Sequence, residues 1–100
     1  MVNGTYKITL QSPLGPRHGT LTLLQCDSSL SGSVDMLSSH TVFENGSVHD
    51  NHFSFTTEMH TLLGNKLITV TGLSEGDALV GFLSLSLKKF PFTGERCSLE

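Results

Sequence analysis

The 100-residue sequence has no tryptophan, one tyrosine and only 15% charged residues. Hydrophobic residues nevertheless reach 37%, which argues against intrinsic disorder because disordered chains combine low apolar content with high net charge. The six Lys and Arg leave a formal net charge of -3, so we expect no binding of nucleic acid. Cysteine is scarce as well: Cys26 and Cys97 lack metal-ligand spacing, and we expect two free thiols rather than a disulfide.

Long hydrophobic runs are also absent. No segment approaches the roughly 20 apolar residues that span a bilayer, and the first five residues lack the basic and apolar regions of a signal peptide. We therefore expect a cytoplasmic protein without a membrane partner. The length fits one domain over residues 1–98, and Leu99 and Glu100 are given no structural meaning because they match a common cloning remnant.

The pattern that is present is strict alternation, clearest in residues 79–87. Leucines occupy positions 79, 83, 85 and 87, while Val80, Phe82, Ser84 and Ser86 fall between them. Only a β-strand, with its side-chain period of two residues, gathers those leucines on one face.

Similar alternating segments recur along the chain, separated by turn residues. The strongest turn signal is Asn45-Gly46, because both residues accept positive φ; further turns are predicted at 13–16, 27–29, 38–39, 50–51, 63–65 and 75–77. About eight short strands result, and no segment has a helical period. The fold class predicted is all-β: an up-and-down antiparallel meander closed into a barrel of about eight strands.

The order of these motifs resembles a family. The chain opens with Gly4-Thr5-Tyr6, continues through a Pro-Leu-Gly turn and closes with Phe-Pro-Phe-Thr-Gly-Glu-Arg at residues 90–96. In this it is similar to uncharacterised bacterial β-barrel domains of the avidin and lipocalin type, which occur alone or as appendages to larger enzymes. Tyr6 stands where avidins usually carry tryptophan, so the resemblance does not imply a biotin site.

Two glycines on the inward face, Gly32 and Gly81, allow two interpretations. They either let the strands coil for barrel closure, which we favour, or open a cavity. In the second case the cavity walls would be Tyr6, Met36, Phe53, Phe55 and Met59. The first functional hypothesis follows: a non-catalytic barrel that binds a small apolar or amphipathic ligand in its mouth.

The outer face suggests an alternative function. Val80 and Phe82 point outward if the neighbouring leucines point inward, and adjacent exposed apolar side chains favour an interface. The alternative hypothesis is therefore a structural domain that forms a homo-oligomer or accompanies a larger enzyme.

Reactive chemistry is poorly represented. His49 and His52 are weak candidates for a metal pair, but three or four ligands are needed, so we interpret them as solvated turn histidines and predict no metal site. No Gly-x-Ser-x-Gly elbow and no carboxylate pair is recognisable. We therefore predict no catalytic residue, no cofactor and no enzymatic activity.

Overall fold

The computed structural model describes residues 2–13, 15–36, 39–61, 64–85 and 88–98, and only the backbone of residues 39, 59–61 and 98. Within these ranges the chain forms eight strands and no helix that could cross a membrane. The strands are β1 (Gly4–Ser12), β2 (Gly15–Cys26), β3 (Ser29–Met36), β4 (Ser39–His49), β5 (His52–Thr61), β6 (Gly64–Glu75), β7 (Ala78–Leu85) and β8 (Lys88–Ser98).

Each strand pairs antiparallel with the next one, and β8 pairs with β1 to close the barrel. The predicted meander barrel is thereby confirmed. The alternation in β7 works as expected, because Leu79 and Leu83 are buried while Val80 and Phe82 are exposed. Closure gives every strand a neighbour on each side, so no strand lies at the edge of an open sheet.

One end of the barrel is built from three equivalent two-residue turns. The first residue of each has positive φ: 56° at Asp27, 56° at Asp50 and 64° at Gly76. The carbonyl oxygen of the second turn residue accepts a hydrogen bond from a backbone N–H of the strand that follows the hairpin. At the turn between β2 and β3, Val48 N–H on β4 donates to Ser28 O at 2.9 Å. The same bond recurs from Ser74 to Asn51 and from Arg96 to Asp77. These bonds anchor each turn to the next pair of strands.

The core occupies the barrel interior and is almost entirely apolar. Each strand contributes side chains at every second position, as the two-residue period requires. The buried hydrophobic residues on the strands are Tyr6, Ile8, Leu10, Leu21, Leu23, Leu30, Val34, Met36, Phe43, Val48, Phe53, Phe55, Ile68, Val70, Leu79, Leu83 and Phe92.

The turn predicted at Asn45-Gly46 is wrong. β4 runs continuously through this dipeptide, and the chain reverses instead at Asp50 and Asn51. The register with β3 passes from Leu30↔Gly46 to Gly32↔Phe43, so β4 contains one residue more than β3 there. Neither Asn45 nor Gly46 takes the positive φ that made the dipeptide resemble a turn. The dipeptide lies instead at a β-bulge, which bends a strand without ending it.

Candidate functional site

A groove of about 810 Å³ lies on the outer surface of β2, β1, β8 and β7. The strand register arranges its side chains in two rows that cross all four strands. One row consists of His18, Thr9, Thr93 and Val80. The second row consists of Thr20, Lys7, Glu95 and Ala78.

Polar and charged groups dominate these rows. Lys7 and Glu95 are direct partners on neighbouring strands, so a positive and a negative side chain adjoin in the middle of the groove. Thr9 Oγ1 lies 3.2 Å from His18 Nδ1, within hydrogen-bond distance. Because Lys7, Glu95 and His18 are all exposed, the arrangement is suited to recognising a polar surface rather than to enclosing a reacting group.

Two glycines lie on the inner side of the same strands. Gly19 on β2 and Gly94 on β8 both pair with Ile8 on β1. Along the strands, these three residues lie between the two rows of outward side chains. A Cβ at Gly94 would lie 2.8 Å from Ile8 Cγ2, and a Cβ at Gly19 would lie 2.5 Å from the Asp35 carbonyl oxygen. With no inward side chain at either position, the strands pack closely at this level, beneath the groove.

An apolar surface adjoins the groove on β7 and β8. Val80 and Phe82, the two predicted interface residues, are 42% and 49% exposed. Val80 pairs with Thr93 inside the groove, and Phe82 pairs with Pro91 just beyond it. We call the groove together with Phe82 and Pro91 the outer surface. The structure thus brings the two predicted residues together with a polar site that sequence patterns did not indicate.

The predicted ligand cavity coincides with the packed core. Tyr6, Met36, Phe53 and Phe55 are all buried, and the side chain of Met59 lies outside the described residues. Phe55 stacks on Phe43 with ring centroids 3.7 Å apart and an interplanar angle of 3°. A cavity of about 10 Å³ lies among the inward side chains, close to the smallest volume that holds one water. A ligand in the barrel would require these side chains to move, and that hypothesis stays a prediction.

The two inward glycines of the prediction lie against backbone. A Cβ at Gly32 would collide with the Thr22 carbonyl, and one at Gly81 would collide with the Thr71 carbonyl and approach Phe92 Cζ at 3.0 Å. The absence of side chains at Gly32 and Gly81 therefore lets neighbouring strands and rings approach closely, rather than leaving open space.

A buried polar cluster that sequence reasoning missed closes the turn end of the barrel. Arg96 follows Gly94 on the inward side of β8, and its side chain is only 14% exposed. Its Nη2 donates to the Tyr6 hydroxyl at 2.7 Å, its Nη1 donates to Asp77 Oδ1 at 2.8 Å, and its guanidinium carbon lies 5.2 Å from the centroid of the Tyr6 ring. Arg96 Nε is buried without a hydrogen-bond partner in the described part of the chain.

Tyr6 connects this cluster to the segment that precedes β1. Its hydroxyl donates to the Val2 carbonyl at 2.8 Å, while the Val2 amide donates to Gln25 Oε1 at 2.9 Å. The backbone N–H of Gln25 in turn donates to Asn3 Oδ1. The available sequence signal was the period of β8: Phe92, Gly94 and Arg96 share one parity, which places an arginine on the core side.

The histidines and cysteines stay dispersed. The turn at Asp50 places His49 directly opposite His52, and His49 Nε2 lies 3.8 Å from Asp50 Oδ2 on the exposed surface. Among the residues whose side chains are described, no three His, Cys, Asp or Glu residues could together hold a metal ion. Cys26 and Cys97 are both free and exposed, which confirms the expectation of two thiols.

Comparison with known proteins does not assign this chain to a family. No protein-family model matches the sequence, and no curated protein matches it. The fold is therefore the class of the protein: a small closed eight-stranded antiparallel β-barrel, consistent with the calycin-like barrels.

Proposed function

We propose that the domain is a non-catalytic assembly module that associates with a second copy of itself through the outer surface. The observation that carries the proposal is the position of exposed Val80 and Phe82 beside a groove that contains both Lys7 and Glu95. Association would remove two apolar side chains from water, the usual driving force for protein interfaces.

The charges of the groove favour a second copy as the partner. In a two-fold dimer the same surface meets itself, so Lys7 of each subunit can face Glu95 of the other. Such pairing fixes orientation and register even where it adds little affinity. The filled interior supports the same choice, because the space of about 10 Å³ inside the barrel favours no small molecule.

Three wider inferences accompany this proposal. The closed meander and the inward Tyr6 on the first strand support a barrel of the avidin and lipocalin type, and with it a bacterial origin. The net charge of -3 supports a protein that does not act on nucleic acid. Cytoplasmic localisation is supported by the two exposed free thiols.

Sedimentation velocity over a range of protein concentrations tests the assembly. We expect a reversible dimer that Phe82→Lys converts to a monomer, because the substitution replaces one of the two apolar side chains that association would bury with a charged one. Val42→Lys is the matched control, since Val42 is 60% exposed on β4, on the opposite side of the barrel.

Charge reversal tests the two-fold geometry. Lys7→Glu or Glu95→Lys alone would set like charges against each other and weaken the dimer, whereas the double variant would restore it. A wild-type chain that remains monomeric at every concentration, or a dimer equally insensitive to Phe82→Lys and Val42→Lys, would contradict the proposal.

A further inference from the structure

The hydrogen-bonded ladder between β4 and β5 is incomplete. Although both strands are long, the register joins them only at Ser47↔Ser54, Val48↔Phe53 and His49↔His52, next to the connecting turn. Residues 39–46 of β4 and 55–61 of β5, whose backbone is described throughout, are not paired with each other. We call this stretch the β4–β5 seam.

The bulge in β4 accounts for the seam. The extra residue lies between Phe43 and Gly46, where the pairing with β5 also stops. A bulge bends its strand and raises the local twist, so the ladder between β4 and β5 stops while side chains of the two strands stay in contact. On its other side β4 pairs with β3 before and after the bulge, and β5 pairs with β6 from His52 to Thr61.

Side chains, rather than backbone bonds, hold the seam together. Thr57 Oγ1 donates to the Val42 carbonyl at 3.4 Å, a long hydrogen bond. Beneath it, the stacked rings of Phe43 and Phe55 keep the core filled. The core is therefore sealed, while two strand edges face each other with few of their backbone groups joined.

We propose that the seam binds an extended peptide by β-strand addition, and that the peptide carries lysine or arginine at alternate positions. Unpaired strand edges present rows of N–H and C=O groups that template an added strand. The β4–β5 seam offers such an edge on each side. Binding would break the hydrogen bond from Thr57 to Val42 and separate the stacked rings of Phe43 and Phe55, and would form backbone ladders in their place.

The charges around the seam determine the kind of peptide. Glu44 on β4 and Glu58 on β5 are exposed on the outer side, and Val42, two residues before Glu44, is 60% exposed. The nearby imidazole of His40 already contacts the Asp35 carboxylate. An added strand with basic outward side chains would match these carboxylates, whereas a second copy would bring its own Glu44 and Glu58 and be repelled.

The probe is a fluorescein-labelled synthetic nonapeptide in which valine and lysine alternate, and its binding is followed by fluorescence anisotropy. The first control is the same peptide with alternate backbone amides N-methylated, which keeps the charge and removes the ladder. The second control exchanges every lysine for glutamate. We expect saturable binding of the first peptide only, weakened by added salt because the charges are exposed.

Variants of the protein locate the binding site. Glu44→Lys/Glu58→Lys should weaken binding about fivefold or more, while Glu95→Lys, a charge reversal in the groove, should leave it unchanged. Thr57→Val should strengthen binding because it removes the hydrogen bond to Val42. Thr56→Val is its matched control on the same strand, since Thr56 Oγ1 lies 3.2 Å from Thr69 Oγ1 on β6 rather than against Val42 on β4.

Several results would overturn the inference. Equal binding of the N-methylated peptide would show attraction by charge without strand addition. Failure of both the wild type and Thr57→Val to bind the probe would show that the seam does not open. A seam that pairs with a second copy would appear as a dimer strengthened by Thr57→Val and insensitive to Phe82→Lys, and it would equally exclude the peptide as occupant.

Discussion

The most demanding prediction concerns the hydroxyl group of Tyr6. Tyr6→Phe keeps the ring, its burial and its contact with the Arg96 guanidinium, and deletes one oxygen. That oxygen accepts from Arg96 Nη2 at 2.7 Å and donates to the Val2 carbonyl at 2.8 Å. Without this oxygen, Arg96 Nη2 loses its acceptor, while Arg96 Nε already has no hydrogen-bond partner among the described residues.

The expected cost follows from the two bonds. A hydrogen bond to a charged group contributes about 1.5–3 kcal/mol and a neutral one about 0.5–1.5 kcal/mol, so Tyr6→Phe should lower the free energy of unfolding by about 2–4 kcal/mol. In a domain of this size that corresponds to a Tm lower by about 10–25 °C. Such a loss is a large fraction of the roughly 5–15 kcal/mol that stabilises a typical domain.

Urea unfolding followed by far-UV circular dichroism measures this cost. Fluorescence is unsuitable, because the chain has no tryptophan and Tyr6 is its only tyrosine. The denaturant slope should stay unchanged, since the same surface is exposed on unfolding. A double-mutant cycle with Arg96→Met should give a coupling of about 1–3 kcal/mol, because Met removes the charge that lost its acceptor. A cost for Tyr6→Phe below about 0.5 kcal/mol, or additive single effects, would refute the reasoning.

Two further predictions concern glycine and the thiols. Gly94→Ala should lower the free energy of unfolding by about 1–3 kcal/mol, because the added methyl group would contact Ile8. Gly76→Ala should lower it by about 1–2 kcal/mol for the φ of 64° alone, since nothing lies within 4 Å of the added Cβ. Urea unfolding measures both losses, and an unchanged midpoint for Gly94→Ala would contradict the packing beneath the groove. Native protein should react with Ellman's reagent at both Cys26 and Cys97, which are exposed; fewer than two reactive thiols without denaturant would contradict their placement.

Much of the fold could be predicted from the sequence because alternation is a local signal. The strands, the antiparallel order and the reversals at Asp27, Asp50 and Gly76 all follow from side-chain period and turn chemistry. Asn45-Gly46 misled the prediction because its local preference fits a turn and a bulge alike. Only the pairing of β4 with β3, which is a tertiary contact, decides between them.

The candidate sites depend on contacts between distant strands, which the alternation of side chains within one strand does not predict. The groove arises from the register of four strands, two of which lie at opposite ends of the chain, so Lys7 and Glu95 become neighbours only when the barrel closes. Arg96 was overlooked because a charged residue on the core side contradicts the rule used to find the core. The β4–β5 seam reflects missing pairing, which leaves no trace in composition.

Native mass spectrometry, compared with the mass of the denatured chain, tests the central claim most directly. An outer surface that binds a second copy predicts a dimer of twice the subunit mass, with no additional mass, that Phe82→Lys converts to a monomer. A monomer carrying extra mass that disappears on denaturation would contradict the account, because the chain would then retain a ligand without binding a second copy.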